Sequence, residues 1–193
     1  MARRSALTAA ETRKTLLREA RTLFGQLGYA TTTLDEVSVT KGALFHHFNS
    51  KQDLFTEVWR ECQIGMDASA NAAAIAARSK TDPFAAFLAG CREYIRFLID
   101  PEFRRIAMVD GPVVLGAEEW HKQDAALGLS TIEAGVGYLS HKGLIEANRV
   151  HALSLLLFGA LTEAGFALGR GDTQTTADEL LENFEHILRS VCL

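Results

Sequence analysis

A chain of 193 residues with 48% hydrophobic content can fill one small head and one sizeable helical core but not three independent domains, so two domains are expected. The formal charge of −4 hides an asymmetry: residues 1–60 hold nine Lys and Arg against six Asp and Glu, whereas residues 61–193 hold eleven against eighteen. Cys62, Cys91 and Cys192 form neither a CxxC pair nor a dense framework, which argues against a secreted disulfide scaffold and for a reducing cytoplasm.

In chain order, Thr8-Ala-Ala-Glu11 reads as a capping box. Leu16, Leu17, Ala20, Leu23, Phe24 and Leu27 then recur at helical steps until Gly28. Arg3, Arg4, Arg13, Lys14, Arg18 and Arg21 make this arm and first helix the densest positive cluster, either a solvated face or a phosphate-binding one. Residues 28–51, GYATTTLDEVSVTKGALFHHFNSK, follow. Thr32 and Thr33 before Asp35 and Glu36 predict a second helix start, with a Thr hydroxyl accepting from exposed backbone N–H groups. Thr40 offers another N-cap, and Lys41, Gly42 and Ala43 give a first turn small enough for close approach to bases or phosphates. Leu44 and Phe48, four apart, turn inward and leave Phe45, His46 and His47 near the outer surface.

Ser50 caps a fourth helix with Asp53 at N3 and an apolar stripe of Leu54, Phe55, Val58, Trp59 and Cys62. The Ala-rich run 68–77 either continues that helix or forms a linker. Asp82-Pro83 and Asp100-Pro101 mark two helix starts, and Asp110-Gly-Pro112 marks a break. A helical run from about Ala117 to Leu139 ends at Lys142-Gly143. Asn148 is placed to cap an apolar helix through Leu168, and Thr176-Ala-Asp-Glu179 caps the last, with Leu180, Leu181, Phe184, Ile187, Leu188 and Val191 on its buried side. Strand signals are nearly absent, so the fold class is all-α. The apolar run 153–161 is too short to span a bilayer and no early segment has signal-peptide length, so a soluble protein with no membrane partner is expected.

No Ser-His-Asp elbow, P-loop or Gly-rich dinucleotide turn is visible. His46 and His47 point about 100° apart on a helix and do not converge on one metal as an i, i+4 pair would. Glu118-x-x-His121 has di-metal spacing, but a second copy is matched only poorly by Glu182, Glu185 and His186, so a helical-bundle enzyme is a weak rival and no cofactor is expected. The second half reads better as a ligand sensor. Phe84, Phe87, Tyr94, Phe97, Phe103, Met108, Trp120, Tyr138, Phe158 and Phe166 are candidates to wall an apolar cavity, with Glu93, Asp110, His121 and Glu163 as polar contacts.

Leu23, Phe24, Gly28, Tyr29, Thr32, Thr33, Val37, Thr40, Gly42, Leu44, His47, Phe48, Ser50 and Lys51 fall in the order of the N-terminal pattern of the TetR family of regulators, which this segment resembles over about residues 8–60. The resemblance implies an all-α chain with a three-helix DNA-binding domain at 1–52 and a ligand-binding and dimerisation domain at 53–193. It implies that Thr33 and His47 contact phosphates, that Lys51 lies beside the backbone, and that residues 40–46 face bases. Phe45 stands where the family usually has Tyr, which removes a hydroxyl. The segment 110–116 also looks like part of some sensor domains of this family.

One departure concerns spacing. Val37 is followed by only Ser38, Val39, Thr40 and Lys41 before Gly42, about four residues fewer than the family pattern. Four residues are about 1.1 turns and about 6 Å of rise, so the helices either keep their facing with a turn of spacer lost, or the recognition helix loses its brace. A loop omitted from the chain would also account for it. The expected function is a cytoplasmic homodimer, paired through its last two helices, that represses from a palindromic operator and is released by a partly apolar effector. The rival is a ligand-binding helical dimer with impaired DNA binding. For the dimer face, Leu153, Leu156, Leu157, Ala160, Leu161, Ala164 and Ala167 with Gly159 and Gly165 offer a flat small-residue surface, which reads equally as an ordinary core helix.

Overall fold

The computed structural model describes residues 2–37, 41–169 and 174–192, with side chains described from residue 9 onward except at 41–43. Every regular element among these residues is helical. The order is α1 (Ala2–Leu27), α2 (Leu34–Val37), α3 (Lys41–His47), α4 (Lys51–Ala76), α5 (Ala85–Ile99), α6 (Pro101–Arg104), a π-helical segment (Arg105–Asp110), α7 (Gly111–Leu115), α8 (Ala117–His141), a 3₁₀ turn (Ala147–Arg149), α9 (Val150–Gly169) and α10 (Ala177–Ser190). One continuous apolar core runs from Leu16 in α1 to Leu188 in α10.

Helix α1 buries Leu16, Leu17, Ala20 and Phe24 and stops at Gly28, whose φ of 85° is costly for any residue with a Cβ. It begins at Ala2 rather than at Thr8, because the Ala, Arg, Ser and Leu residues before Thr8 contain no helix stop. Phe24 and Tyr29 meet Phe55 of α4 edge-on, at 5.1 and 5.2 Å between ring centroids, and this wedge joins the N-terminal helices to the long helix.

Helix α4 is the spine. Ser50 Oγ accepts from Asp53 N–H and the Asp53 carboxylate accepts from Asn49 N–H, so the predicted cap is present. Its 26 residues span about 39 Å. The Ala-rich stretch continues the helix rather than forming a linker, and its small side chains let α5 approach: a Cβ on Gly90 would lie 3.4 Å from the Ala70 carbonyl oxygen.

Three further predicted boundaries move. Asp82 accepts from Phe84 N–H in a turn, and α5 proper starts at Ala85. Asn148 lies inside the 3₁₀ turn, so α9 starts at Val150 without that cap. Asp100 does cap α6, accepting from Glu102 and Phe103 N–H. The third shift is larger: Asp110-Gly-Pro112 does not break the chain, and the stop comes at Gly116, with φ 84°. Pro112 has no N–H, and the ladder absorbs its arrival by widening, with Gly111 N–H bonding to the Ile106 carbonyl five residues back. The Ala107 carbonyl, released from the ladder, accepts instead from two indoles, Trp59 Nε1 of α4 at 3.3 Å and Trp120 Nε1 of α8 at 3.0 Å. A Cβ on Gly111 would sit 2.9 Å from the Trp59 nitrogen, so the close approach requires glycine there.

Helix α8 closes at Gly143 with the Leu144 N–H on the Leu139 carbonyl, and α10 opens on the predicted Thr176–Glu179 capping box. Only Phe184 and Leu188 of α10 are fully buried, and Ile187, placed by sequence on the buried side, is exposed. With its preceding turn, α9 makes a 23-residue stretch long and apolar enough to cross a membrane by length and composition, well beyond the nine-residue run picked out from sequence. Its Leu153, Leu157, Phe158, Leu161 and Gly165 face the protein core. Leu155, Leu156, Gly159 and Ala160 lie on the opposite, exposed face. The small-residue face expected from sequence is therefore divided between two sides of the helix.

Candidate nucleic-acid interface and effector cavity

Helix α3 is held from beneath by Leu44 and Phe48, both buried, with the Arg13 guanidinium 5.3 Å from the Phe48 ring centroid. Outward from that anchor stand Phe45, 53% exposed, and His46, with His47 half-buried beside it. The two imidazoles do not diverge as expected: their rings stack at 5.1 Å with 13° between planes. Thr40 lies outside the described residues, and Lys41, Gly42 and Ala43 are described only as the backbone that opens α3.

Three of the predicted contacts have partners within the protein. Thr32 is 1% exposed and its hydroxyl is shared between the Gly28 carbonyl at 2.9 Å and the Leu23 carbonyl at 3.2 Å. It locks the turn after α1 and is withdrawn from any surface. Thr33 is exposed, but its hydroxyl donates to Glu36 Oε2, which also accepts the Thr33 N–H at 2.7 Å. The sequence predicts an accepting hydroxyl. In a helix of one turn, however, a carboxylate at N3 reaches the cap first, and these hydrogen bonds hold Glu36 below the usual carboxylate range. Lys51 Nζ donates to the Ala30 carbonyl at 3.3 Å and lies 4.4 Å from the Tyr29 ring centroid. In the basic cluster Arg13 is paired with Glu57 at 2.6 Å and Arg18 with Glu19 at 2.9 Å, which reduces the positive charge presented.

The N-terminal part of the chain, up to the start of α4, is tied to the π-helical segment and α7. Asp110 Oδ2 accepts from Tyr29 N–H at 2.7 Å, Arg105 Nη1 donates to the Gly25 carbonyl at 3.2 Å, and Gln52 Nε2 donates to the Val114 carbonyl at 2.9 Å. Asp110, expected among the ligand contacts, is instead part of this latch. Arg105 and Gln52 carry no sequence signal that would have selected them.

Between α4, α5, α8 and α9 lies a cavity of about 270 Å³. Of the candidate wall residues, Phe87, Tyr94, Tyr138 and Phe158 line it. Phe84, Met108, Trp120, His121 and Glu163 do not. Phe84 is buried under the Arg189 guanidinium at 4.5 Å, and Trp120 is held by the Ala107 carbonyl with its ring 5.4 Å from Phe166. Met108 packs toward Gly165, whereas His121 and Glu163 are exposed. Phe97 and Phe103 pair with each other at 5.0 Å, and Glu93 is held near 2 by Arg96 and Ser69. Glu118 is exposed like His121, and no group of three or more His, Cys, Asp and Glu able to hold a metal occurs among the described residues.

The sequence reading missed the polar part of the wall. Gln63 Nε2 donates to Asp124 Oδ1 at 2.6 Å, and Asp67 Oδ1 accepts from Thr131. Gln63 follows Trp59 by four residues and Asp124 follows Trp120 by four, so each is a polar residue at a buried position of an apolar period. That was the available signal. Burial pushes the Asp124 carboxyl up to about 6, against the opposing influence of the Gln63 amide and His121. Burial also raises the Tyr94 phenol, with the Asp124 charge adding to it.

Comparison with known proteins accounts for both ends of the chain. Residues 84–191 match the tetracyclin repressor-like C-terminal domain, and residues 16–58 match the bacterial regulatory proteins of the tetR family. The HTH-type transcriptional regulator AcrR of Shigella flexneri is 44% identical over 71 residues, 34% of this chain and 33% of that protein. The transposon Tn10 TetC protein of Escherichia coli is 28% identical over 155 residues, 77% of this chain and 75% of that protein. The match thus spans about a third of the AcrR relative and three quarters of TetC. A crystal structure of a TetR-family transcriptional regulator from Pectobacterium atrosepticum superposes with a TM-score of 0.80 at 28% identity, covering 97% of each chain. With one match over residues 16–58 and the C-terminal match covering more than half of the sequence, the chain belongs to the TetR family of bacterial regulatory proteins.

Proposed function

We propose that this regulator is a cytoplasmic repressor that binds a palindromic operator as a homodimer and leaves it when a small, largely apolar effector enters the cavity. The observation that carries the reading is α3, anchored by Leu44 and Phe48 while Phe45 and His46 stand free of the core. Residues 1–52 act as the reading head and 53–193 as the sensor, with α4 belonging to both. Lys41, Gly42 and Ala43 lead the helix into the major groove, while Thr33, His47 and Lys51 meet phosphates. Two copies pair through the exposed face of α9, with Leu155, Leu156, Gly159 and Ala160, and through Ile187 of α10. Leu156, 71% exposed in the single chain, gains the most from that pairing. The pair then reads half-sites separated by about 34 Å, one turn of duplex.

Effector binding acts through the spine. The cavity lies along α4, the same helix whose N-terminal end braces the head, and the Asp110–Tyr29 and Arg105–Gly25 hydrogen bonds carry its position to the end of α1. A ligand shifts the head only if its affinities for the two arrangements differ. The test is a gel shift of the folded dimer on DNA upstream of its own gene, repeated on an operator selected from random duplexes. A salt-dependent shift that prefers the selected sequence supports repression at an operator. A folded dimer that gives no shift at low salt favours the rival, a sensor whose clipped spacer after Val37 leaves the recognition helix unbraced.

A further inference from the structure

The wall of the cavity contains a carboxylate and an amide that do not complete one another. Gln63 and Asp124 are 3% and 4% exposed, and each keeps a buried oxygen, Gln63 Oε1 and Asp124 Oδ2, without a hydrogen-bond partner. Both oxygens are acceptors, so whatever completes them must bring N–H or O–H donors. Asp124 is also a charge without a salt-bridge partner among the described residues, and an unpaired buried charge is the costlier of the two deficits.

The surroundings have the same polarity. Asp67 adds a second acidic side chain to the wall, already committed to Thr131 and Asn71. Arg78, the one basic residue of the lining, is fifteen residues beyond Gln63 on the course of α4 and its end, about 22 Å away by helix rise. Phe87, Tyr94, Tyr138 and Phe158 supply aromatic rings, whose faces favour a positive charge. An anion would meet the Asp124 carboxylate, with Arg78 past the far end of α4 and His121 exposed outside the lining, and a purely apolar ligand would leave both acceptors as they are.

We propose that the cavity selects an organic cation, an ammonium group on an apolar body of about two fused rings, whose N–H groups donate to Asp124 Oδ2 and Gln63 Oε1. This rests on the cavity being the effector site and names the chemistry that site requires. The body size follows from the volume of about 270 Å³.

The experiment is calorimetric titration of the full chain with three probes of one shape: 1-naphthylmethylamine, 1-naphthylmethanol and 1-naphthoate. The amine is expected to bind at least about tenfold tighter than the alcohol, with naphthoate weakest. Asp124→Asn, which keeps the shape, should weaken the amine by about tenfold to a hundredfold and leave the alcohol unchanged. Gln63→Met should weaken the amine by less, and it provides a second arm if the first variant folds poorly. Equal or tighter binding of the alcohol or naphthoate overturns the cation preference, as does amine affinity indifferent to both substitutions, or no binding of the amine. Leu127→Trp, which obstructs the cavity, separates this from the underlying reading. Alcohol or naphthoate binding abolished by Leu127→Trp keeps the effector cavity and rejects only the cation, whereas amine binding untouched by it rejects the cavity as well.

Discussion

The N-terminal head proposed to read DNA and the cavity proposed to bind effector treat their polar groups in opposite ways. In the head, Thr32, Thr33, Glu36 and Lys51 are each tied to a partner within the head itself, so the surface around α3 is set before any ligand arrives. In the cavity, Gln63 and Asp124 satisfy each other by only one bond and keep two acceptors in an apolar wall. A fixed surface suits a partner of constant shape such as duplex DNA, whereas a wall left incomplete is stabilised by what fills it. Such a site can shift an equilibrium when the deficit its ligand repairs is larger in one arrangement than in the other.

Breaking the head alone should give the largest effect. Phe48→Ala is expected to cost about 3–4 kcal/mol, to remove operator binding and to leave cavity titrations intact, measured by urea unfolding alongside the calorimetry. Loss of both activities together would mean that the two regions fold as one cooperative unit. The second test addresses the cavity. Because the folded Asp124 carboxyl is raised from 3.8 to about 6, the folded state holds this proton more tightly than the unfolded chain. The stability it contributes is complete below about pH 4, falls as pH rises through 6 and is level above. Asp124→Asn should erase that fall and leave the empty protein about 2–3 kcal/mol more stable at pH 8, seen as a midpoint that no longer declines as pH rises through 6.

A smaller effect should come from the latch between the regions. Asp110→Ala removes the acceptor of Tyr29 N–H and should cost about 1–2 kcal/mol, while weakening the release of DNA by effector more than DNA binding itself. Unchanged coupling would leave signal transmission to α4 and the Arg105–Gly25 hydrogen bond. The smallest change distinguishes two residues within the head. Lys51→Ala should reduce the slope of log affinity against log salt by about one on every sequence, whereas Thr32→Val should lower stability by about 1 kcal/mol with the slope unchanged. A salt effect at Thr32 would contradict its burial.

These contrasts also explain what could be read from sequence. Leu44 and Phe48 were legible because helical spacing alone decides which face turns inward. The caps at Ser50 and Thr176 were legible because their partners lie three residues away. Thr32 was not, since its partners are the carbonyls of Leu23 and Gly28, brought under its hydroxyl only when the chain folds back after α1. Four of the ten wall candidates line the cavity, and the division has a similar reason. Apolar character marks Phe87 and Trp120 alike, but the helix crossing sends one into the cavity and the other to the Ala107 carbonyl. Gln63 and Asp124 are polar interruptions of an apolar period, and neither apolar character nor exposure marks them.

The π-helical segment gives the molecule an optical consequence. The chain has two tryptophans, and both direct their indole nitrogens at the single Ala107 carbonyl from different helices. Indole emission responds to the polarity and hydrogen bonding around the ring, so movement of α4 against α8 should alter both chromophores together. Intrinsic fluorescence, with no dye attached, would then follow the relative motion of the spine and its neighbour in real time.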